Sequence, residues 1–154
     1  MQHWQQLIPI IAFSLWLSAC NSEGQAEAVG KAAAPQRTTD PVQLAHGREL
    51  FRQNCAQCHG AEAQGAFNWR ARLPDGSFPP PPLNGTGHAW HHPRAMLRYV
   101  IRNGSPGGGN MPAWGGRLSD ADIDATITWF QSRWPDEVYA AWWEIDQRAR
   151  QARN

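Results

Sequence analysis

Cysteine is scarce in this chain: three in 154 residues. A closed zinc site built around any two of them would need two further Cys or His ligands in register. Charge of either sign is nearly balanced, at a formal net charge of +1, which argues against nucleic acid as a partner held by bulk electrostatics. No segment sustains the apolar–polar alternation of a strand, so the expected fold class is all-α. Long apolar runs are missing too. The run Leu7 to Leu17 falls short of the roughly 20 residues that a membrane-crossing helix needs. Lys and Arg are absent from the opening MQHWQQ, where an export signal usually carries positive charge.

Against this background one pentad stands out. Cys55-Ala56-Gln57-Cys58-His59 has the C-x-x-C-H order that attaches a c-type haem, and no βαβ context suggests a redox dithiol instead. Two thiols two residues apart can each join one vinyl group of the porphyrin, while the next residue turns its imidazole onto the iron. The length allows one domain, and a haem supplies a large apolar body for a small chain to pack around. Nine Trp suit packing around a flat macrocycle, although filling an ordinary core accounts for most of them.

The N-terminal segment reads as targeting. Leu7 to Leu17 has the length of a signal h-region, and Leu17-Ser18-Ala19-Cys20 resembles the lipobox of bacterial lipoproteins. Cysteine counting agrees: the haem takes Cys55 and Cys58, leaving Cys20 as the odd thiol of an exported chain. The expected organisation is a signal peptide over 1–19 and a flexible tether over 20–39 from a lipidated Cys20, with a mean reach of roughly 25 Å. More than one acyl chain would hold the protein stably on a membrane surface without crossing it.

Asp40-Pro41 then supplies an N-cap and a proline at the first helical position, opening a helix over Pro41 to about Asn54 that leads to the haem cysteines. A second helix is expected from Pro93 to Asn103, with Met96, Leu97, Val100 and Ile101 on one side and Arg94, Arg98 and Arg102 on another. Ser119 to Asp122 forms a capping-box-like start. Ile123, Ile127, Phe130 and Trp134 follow as one apolar stripe, and Pro135 stops that helix. A fourth helix is expected beyond it, with Val138, Ala141, Trp142, Ile145 and Ala149 on its inner side.

Two Gly/Pro-rich segments join these helices, Gly60 to His92 and Gly104 to Arg117. The second contains Met111, the only methionine after the signal outside an expected helix. A thioether on glycine-rich backbone is the natural second axial ligand beside His59.

Over Asp40 to Trp134 the chain resembles the class I cytochrome c family, on C-x-x-C-H after the first helix, Met111-Pro112 after a middle helix, and an aromatic-bearing last helix. The resemblance implies three core helices around one covalent haem c, with 40–134 as the cytochrome domain and 135–154 as an added helical extension. It further implies that Gly47 and Phe51 meet Trp129 or Phe130 where the first and last helices cross. Pro81-x-Leu83-x-Gly85 matches a family stretch in which the Pro carbonyl accepts a hydrogen bond from the haem-ligating His, which would make Pro81 a residue that orients His59.

The reading that follows is an exported electron carrier, not an enzyme, because two protein ligands leave the iron no position for substrate. Its partners would be a dehydrogenase or quinol-oxidising complex on one side and a terminal oxidase or reductase on the other. Two alternatives stay open. Gly107-Gly108-Gly109 before Met111 would suit a displaceable ligand and gas binding, and His88, His91 and His92 would suit copper handling for oxidase assembly. The Arg94, Arg98 and Arg102 stripe reads as a solvated face or as a docking face for an acidic partner. Trp143, off the inner side of its helix, reads as surface cover or as an interface anchor.

Overall fold

A computed structural model of the chain describes residues 34, 36–106 and 109–153. The segment assigned to the signal peptide, Cys20 and most of the tether lie outside these residues, as do Gly107 and Gly108. Five helices, and no strand, occur among the described residues: α1 Pro41–Asn54, the single turn α2 Ala56–His59, α3 Arg94–Asn103, α4 Asp120–Ser132 and α5 Asp136–Gln151, with a 3₁₀ turn over Ala89–His91. The expected all-α class is met.

The caps explain where the helices begin. Asp40 accepts a hydrogen bond from Val42 N at 2.9 Å ahead of α1, satisfying one amide that the helix cannot. Ser119 and Asp122 form a reciprocal capping box at the start of α4: Asp122 N donates to Ser119 Oγ (3.1 Å) and Ser119 N to Asp122 Oδ2 (3.1 Å). Pro93 stands just outside α3 as its N-cap residue, so the helix begins at Arg94, one position after the expected start.

The core is the crossing of α1 with α4. A Cβ on Gly47 would lie 2.2 Å from the carbonyl oxygen of Ala125 and 2.9 Å from Cβ of Trp129, so only glycine permits this backbone approach. One turn later Phe51 meets Trp129, ring centroids 4.5 Å apart and tilted by 44°. The opposing aromatic is therefore Trp129, while Phe130 packs towards Trp134 at 6.0 Å. Ile123, Ile127, Phe130 and Trp134 are buried as their spacing implies, but so are Ala125, Thr126, Trp129 and Gln131. α4 is enclosed on more sides than one stripe allows for, because α1 covers one flank and α5 and α3 cover others.

α5 seals the domain's own surface. Trp142 is buried and donates its indole N–H to His92 O at 3.1 Å. Asp146, also buried, accepts the backbone N–H of Arg94 at 2.8 Å and Arg150 Nε at 2.7 Å. A carboxylate of α5 thus caps α3 from outside its own sequence neighbourhood. Trp143 is half-buried against the core, which answers the interface-anchor reading in favour of internal packing.

The arginine stripe is paired within the domain. Arg94 and Arg98 both pair with Asp124 of α4, and Arg102 pairs with Asp120. Arg94 also donates to Gln131 Oε1, Thr128 Oγ1 and the carbonyl of Asp124. The stripe is neither a merely solvated face nor a free docking face, because the acidic first half of α4 lies alongside it and the opposite charges of the two segments meet.

Candidate functional site

α1 ends by handing the chain to the pentad. Cys55 N donates to Phe51 O at 2.8 Å, and Cys58 N and His59 N both return to Cys55 O at 3.1 and 2.9 Å. Cys55, Cys58 and His59 therefore occupy one tight turn, closed by Gly60 at φ +79°. Both cysteines are free thiols, Cys58 exposed and Cys55 half-buried. Burial, reinforced by charge repulsion from Cys58, pushes the Cys55 thiol up to about 11, so it carries its proton at neutral pH.

His59 is 7% exposed, and its Nδ1 lies 2.8 Å from Pro81 O. A backbone carbonyl only accepts, so Nδ1 must hold the ring proton and Nε2 presents a lone pair. Burial lowers the affinity of the ring for a second proton and outweighs the opposite pull of that carbonyl. The result is a neutral imidazole in one tautomer, the form in which histidine binds a metal.

The position of Pro81 is built by the loop itself. Leu83 N and Asn84 N both donate to Ala63 O at 2.7 and 3.1 Å, and Ala66 N donates to Pro80 O at 2.9 Å. A Cβ on Gly65 would fall 2.3 Å from Pro82 N, and one on Gly87 2.2 Å from Pro82 O. Two glycines therefore let the chain after the pentad lie against the prolines.

Met111 is half-buried and packs on the same core cluster as Cys55. Its carbonyl accepts Ser105 N at 3.1 Å, and Trp114 N and Gly115 N donate to Ile101 O and Arg102 O at 3.0 Å each. The methionine loop is thus closed onto the C-terminal end of α3.

Several large apolar side chains remain exposed on the segments between the pentad and Met111: Phe67, Leu73, Phe78, Met96 and Tyr99. Met96, Tyr99 and the half-buried Val100 recur along one side of α3, away from its core residues Leu97 and Ile101. Exposed apolar side chains, two thiols, a neutral imidazole and a thioether are the residue types that a haem macrocycle calls for.

Residues 42–130 match the family model described as cytochrome C oxidase, cbb3-type, subunit III. The chain belongs to this cytochrome c family. It is 39% identical over 87 residues to the cbb3-type cytochrome c oxidase subunit CcoP of Azospirillum sp. (strain B510), covering 56% of this chain and 27% of that one. To subunit FixP of Azorhizobium caulinodans it is 33% identical over 94 residues, covering 57% and 28%. To cytochrome c6 of Diacronema lutheri it is 29% identical over 94 residues, covering 58% of this chain and 95% of that one. The chain therefore spans little more than a quarter of the length of the oxidase subunits it matches. No solved structure matches it. This cytochrome c domain implies a covalently bound haem c, and a single C-x-x-C-H in the chain sets the number at one.

Among the described residues no three His, Cys, Asp or Glu side chains converge on a metal position, those of the histidine cluster included. His88 stacks on Trp69 with centroids 5.4 Å apart, and His91 lies on Trp90 at 3.8 Å. His88 also meets the His92 ring edge-on at 5.6 Å, so the rings pack on aromatic neighbours and on one another. No helix among the described residues is long and apolar enough to cross a membrane. His46, in α1, is exposed and lies 3.2 Å from Asp122. Sequence reasoning missed Trp134, whose indole N–H donates to Leu83 O at 2.7 Å. A tryptophan near a helix end, three residues after the buried Gln131, carries no signal that its N–H will be used.

Proposed function

We propose that this domain carries single electrons on a haem held by thioethers from Cys55 and Cys58, with His59 Nε2 and Met111 Sδ as the axial ligands. The observation that carries the reading is the His59 Nδ1–Pro81 O hydrogen bond, which leaves Nε2 as the donor and raises its basicity. When bound, the haem supplies one-electron Fe(III)/Fe(II) chemistry. The residues do the rest: Pro81 fixes the ring's tautomer and orientation, burial of His59 excludes water from it, and the closed methionine loop presents a soft thioether that favours the reduced state. With both axial positions occupied by protein, the role is that of a carrier and not of a substrate-converting enzyme.

The protein is exported and lipid-anchored at Cys20, working on the periplasmic side of a bacterial membrane. The names of its relatives support a terminal oxidase of cbb3 type as one partner, with a quinol-oxidising complex or dehydrogenase as donor. The test is the optical spectrum of the exported holoprotein, oxidised and reduced, with and without CO. A weak far-red band in the ferric form, lost in Met111→Ala, together with little response to CO, supports the His/Met carrier. Absence of the band with immediate CO uptake overturns it in favour of gas binding. Labelling with radioactive palmitate that disappears in Cys20→Ser checks the anchor.

A further inference from the structure

Among its described residues the methionine loop is tied both to the helix it follows and to a second part of the chain. Its base closes on α3 through Ser105 N to Met111 O and through Gly104, whose φ of +84° and absent Cβ let Met111 O approach. Its outer side meets a different part of the chain. Asn110 Nδ2 donates to Ser77 Oγ at 2.7 Å, 33 residues away. After the Ser77 hydroxyl, which does most, the same amide is the smallest of the influences that hold the Asp75 carboxyl below its usual range.

Asp75 and Ser77 sit in a small, well-made turn. Leu73 N donates to Ser77 O at 2.8 Å, and Gly76 N to Leu73 O at 2.9 Å. The Asp75 carboxylate accepts both Ser77 N (2.9 Å) and Ser77 Oγ (2.6 Å). Arg72 donates to Gly76 O at 2.6 Å while its guanidinium lies 4.5 Å over the Phe78 ring. Asp75 gains its shape from this turn and has an oxygen left to offer. Asn110 takes hold of this turn through the Ser77 hydroxyl.

We infer that the Leu73–Ser77 turn is a strut for the methionine loop, with Asn110 as a positioning residue that sets how readily Met111 leaves the iron. The inference rests on the His59/Met111 ligation proposed above. Asn110 adjoins Met111 in sequence, so fixing its side chain against a part of the chain other than α3 restricts the swing that Met111 needs in order to detach. The contact is exposed and water competes for it, so the effect on the attached–detached equilibrium is a modest one, roughly three- to tenfold.

The test uses exported holoprotein and two readouts: the rate of CO uptake by the ferrous form, and the temperature at which the ferric far-red band is lost relative to loss of helicity. Asn110→Ala and Ser77→Ala should each speed CO uptake roughly three- to tenfold and make the band vanish before the helices melt. Asn110→Asp, which sets two carboxylates against each other, should do more. Adding Asp75→Asn to it restores an amide–carboxylate pair with the roles exchanged and should recover most of the original behaviour. Unchanged CO uptake and coincident melting in Asn110→Ala and Ser77→Ala overturn the strut while the ligation stands. A far-red band missing from the unaltered protein instead overturns the ligation, and the strut with it.

Discussion

Trp134 donates its indole N–H to the carbonyl of Leu83 at 2.7 Å, two residues beyond the carbonyl that receives His59. The corner between α4 and α5 is thus fastened to the proline loop that fixes the imidazole. Trp134→Phe keeps the buried ring but leaves that carbonyl without its donor, at a cost of about 1–3 kcal/mol. The expected outcome is a drop in thermal midpoint of about 5 °C or more, followed by circular dichroism.

The α1–α4 crossing gives a second expectation. Gly47→Ala forces a methyl group into the 2.2 Å gap to Ala125 O, and α4 cannot retreat without separating Phe51 from Trp129. Overpacking of this kind costs about 1–3 kcal/mol. In urea titrations the midpoint should fall while the slope stays the same.

Asp146 reports on the C-terminal helix. Asp146→Ala removes the acceptor of Arg94 N and the partner of Arg150, and loss of such a cap costs about 1 kcal/mol. Hydrogen exchange should show lost protection at the Arg94 amide while the α1–α4 core stays protected. Truncation after Pro135 removes Trp142 as well and should destabilise the whole domain.

Acid should act partly through the capping box. The hydroxyl of Ser119 first, then its backbone N–H, hold the Asp122 carboxyl below the usual range. Because its folded pKa is depressed, the stability it contributes is complete above the unfolded pKa and is lost as pH falls through the folded one. Ser119→Ala should therefore be less stable than the unaltered protein at about pH 6, with the gap narrowing towards about pH 3. It should not close fully, since Asp122 N to Ser119 Oγ does not titrate. Thermal midpoints at several pH values check both parts.

Much of this domain is legible along the chain because its signals are local. Caps at Asp40 and Ser119, the glycine at 47 and the C-x-x-C-H turn act within a few residues, and helix starts followed from them to within about one residue, whereas α4 ends at Ser132, two residues short of the expected Trp134. What was not legible depends on distant partners. A stripe of arginines looks the same whether it faces water or Asp120 and Asp124. Asp146 looks like surface charge until α5 folds back over the start of α3. Three adjacent histidines suggest a metal by composition, whereas their geometry follows from Trp69 and Trp90 beside them.

The atom that selects the tautomer of His59 belongs to the main chain, so no side-chain exchange at Pro81 deletes it. A conventional alanine scan would pass over the most consequential contact of the site and score Pro81 as tolerant. The vulnerable position is instead Gly65, at φ +67°, where a methyl group would stand 2.5 Å from the carbonyl carbon of Pro81. Mutational sensitivity here should trace the spacing of two backbone segments, and inheritable damage to the haem site should concentrate in a glycine that never touches it.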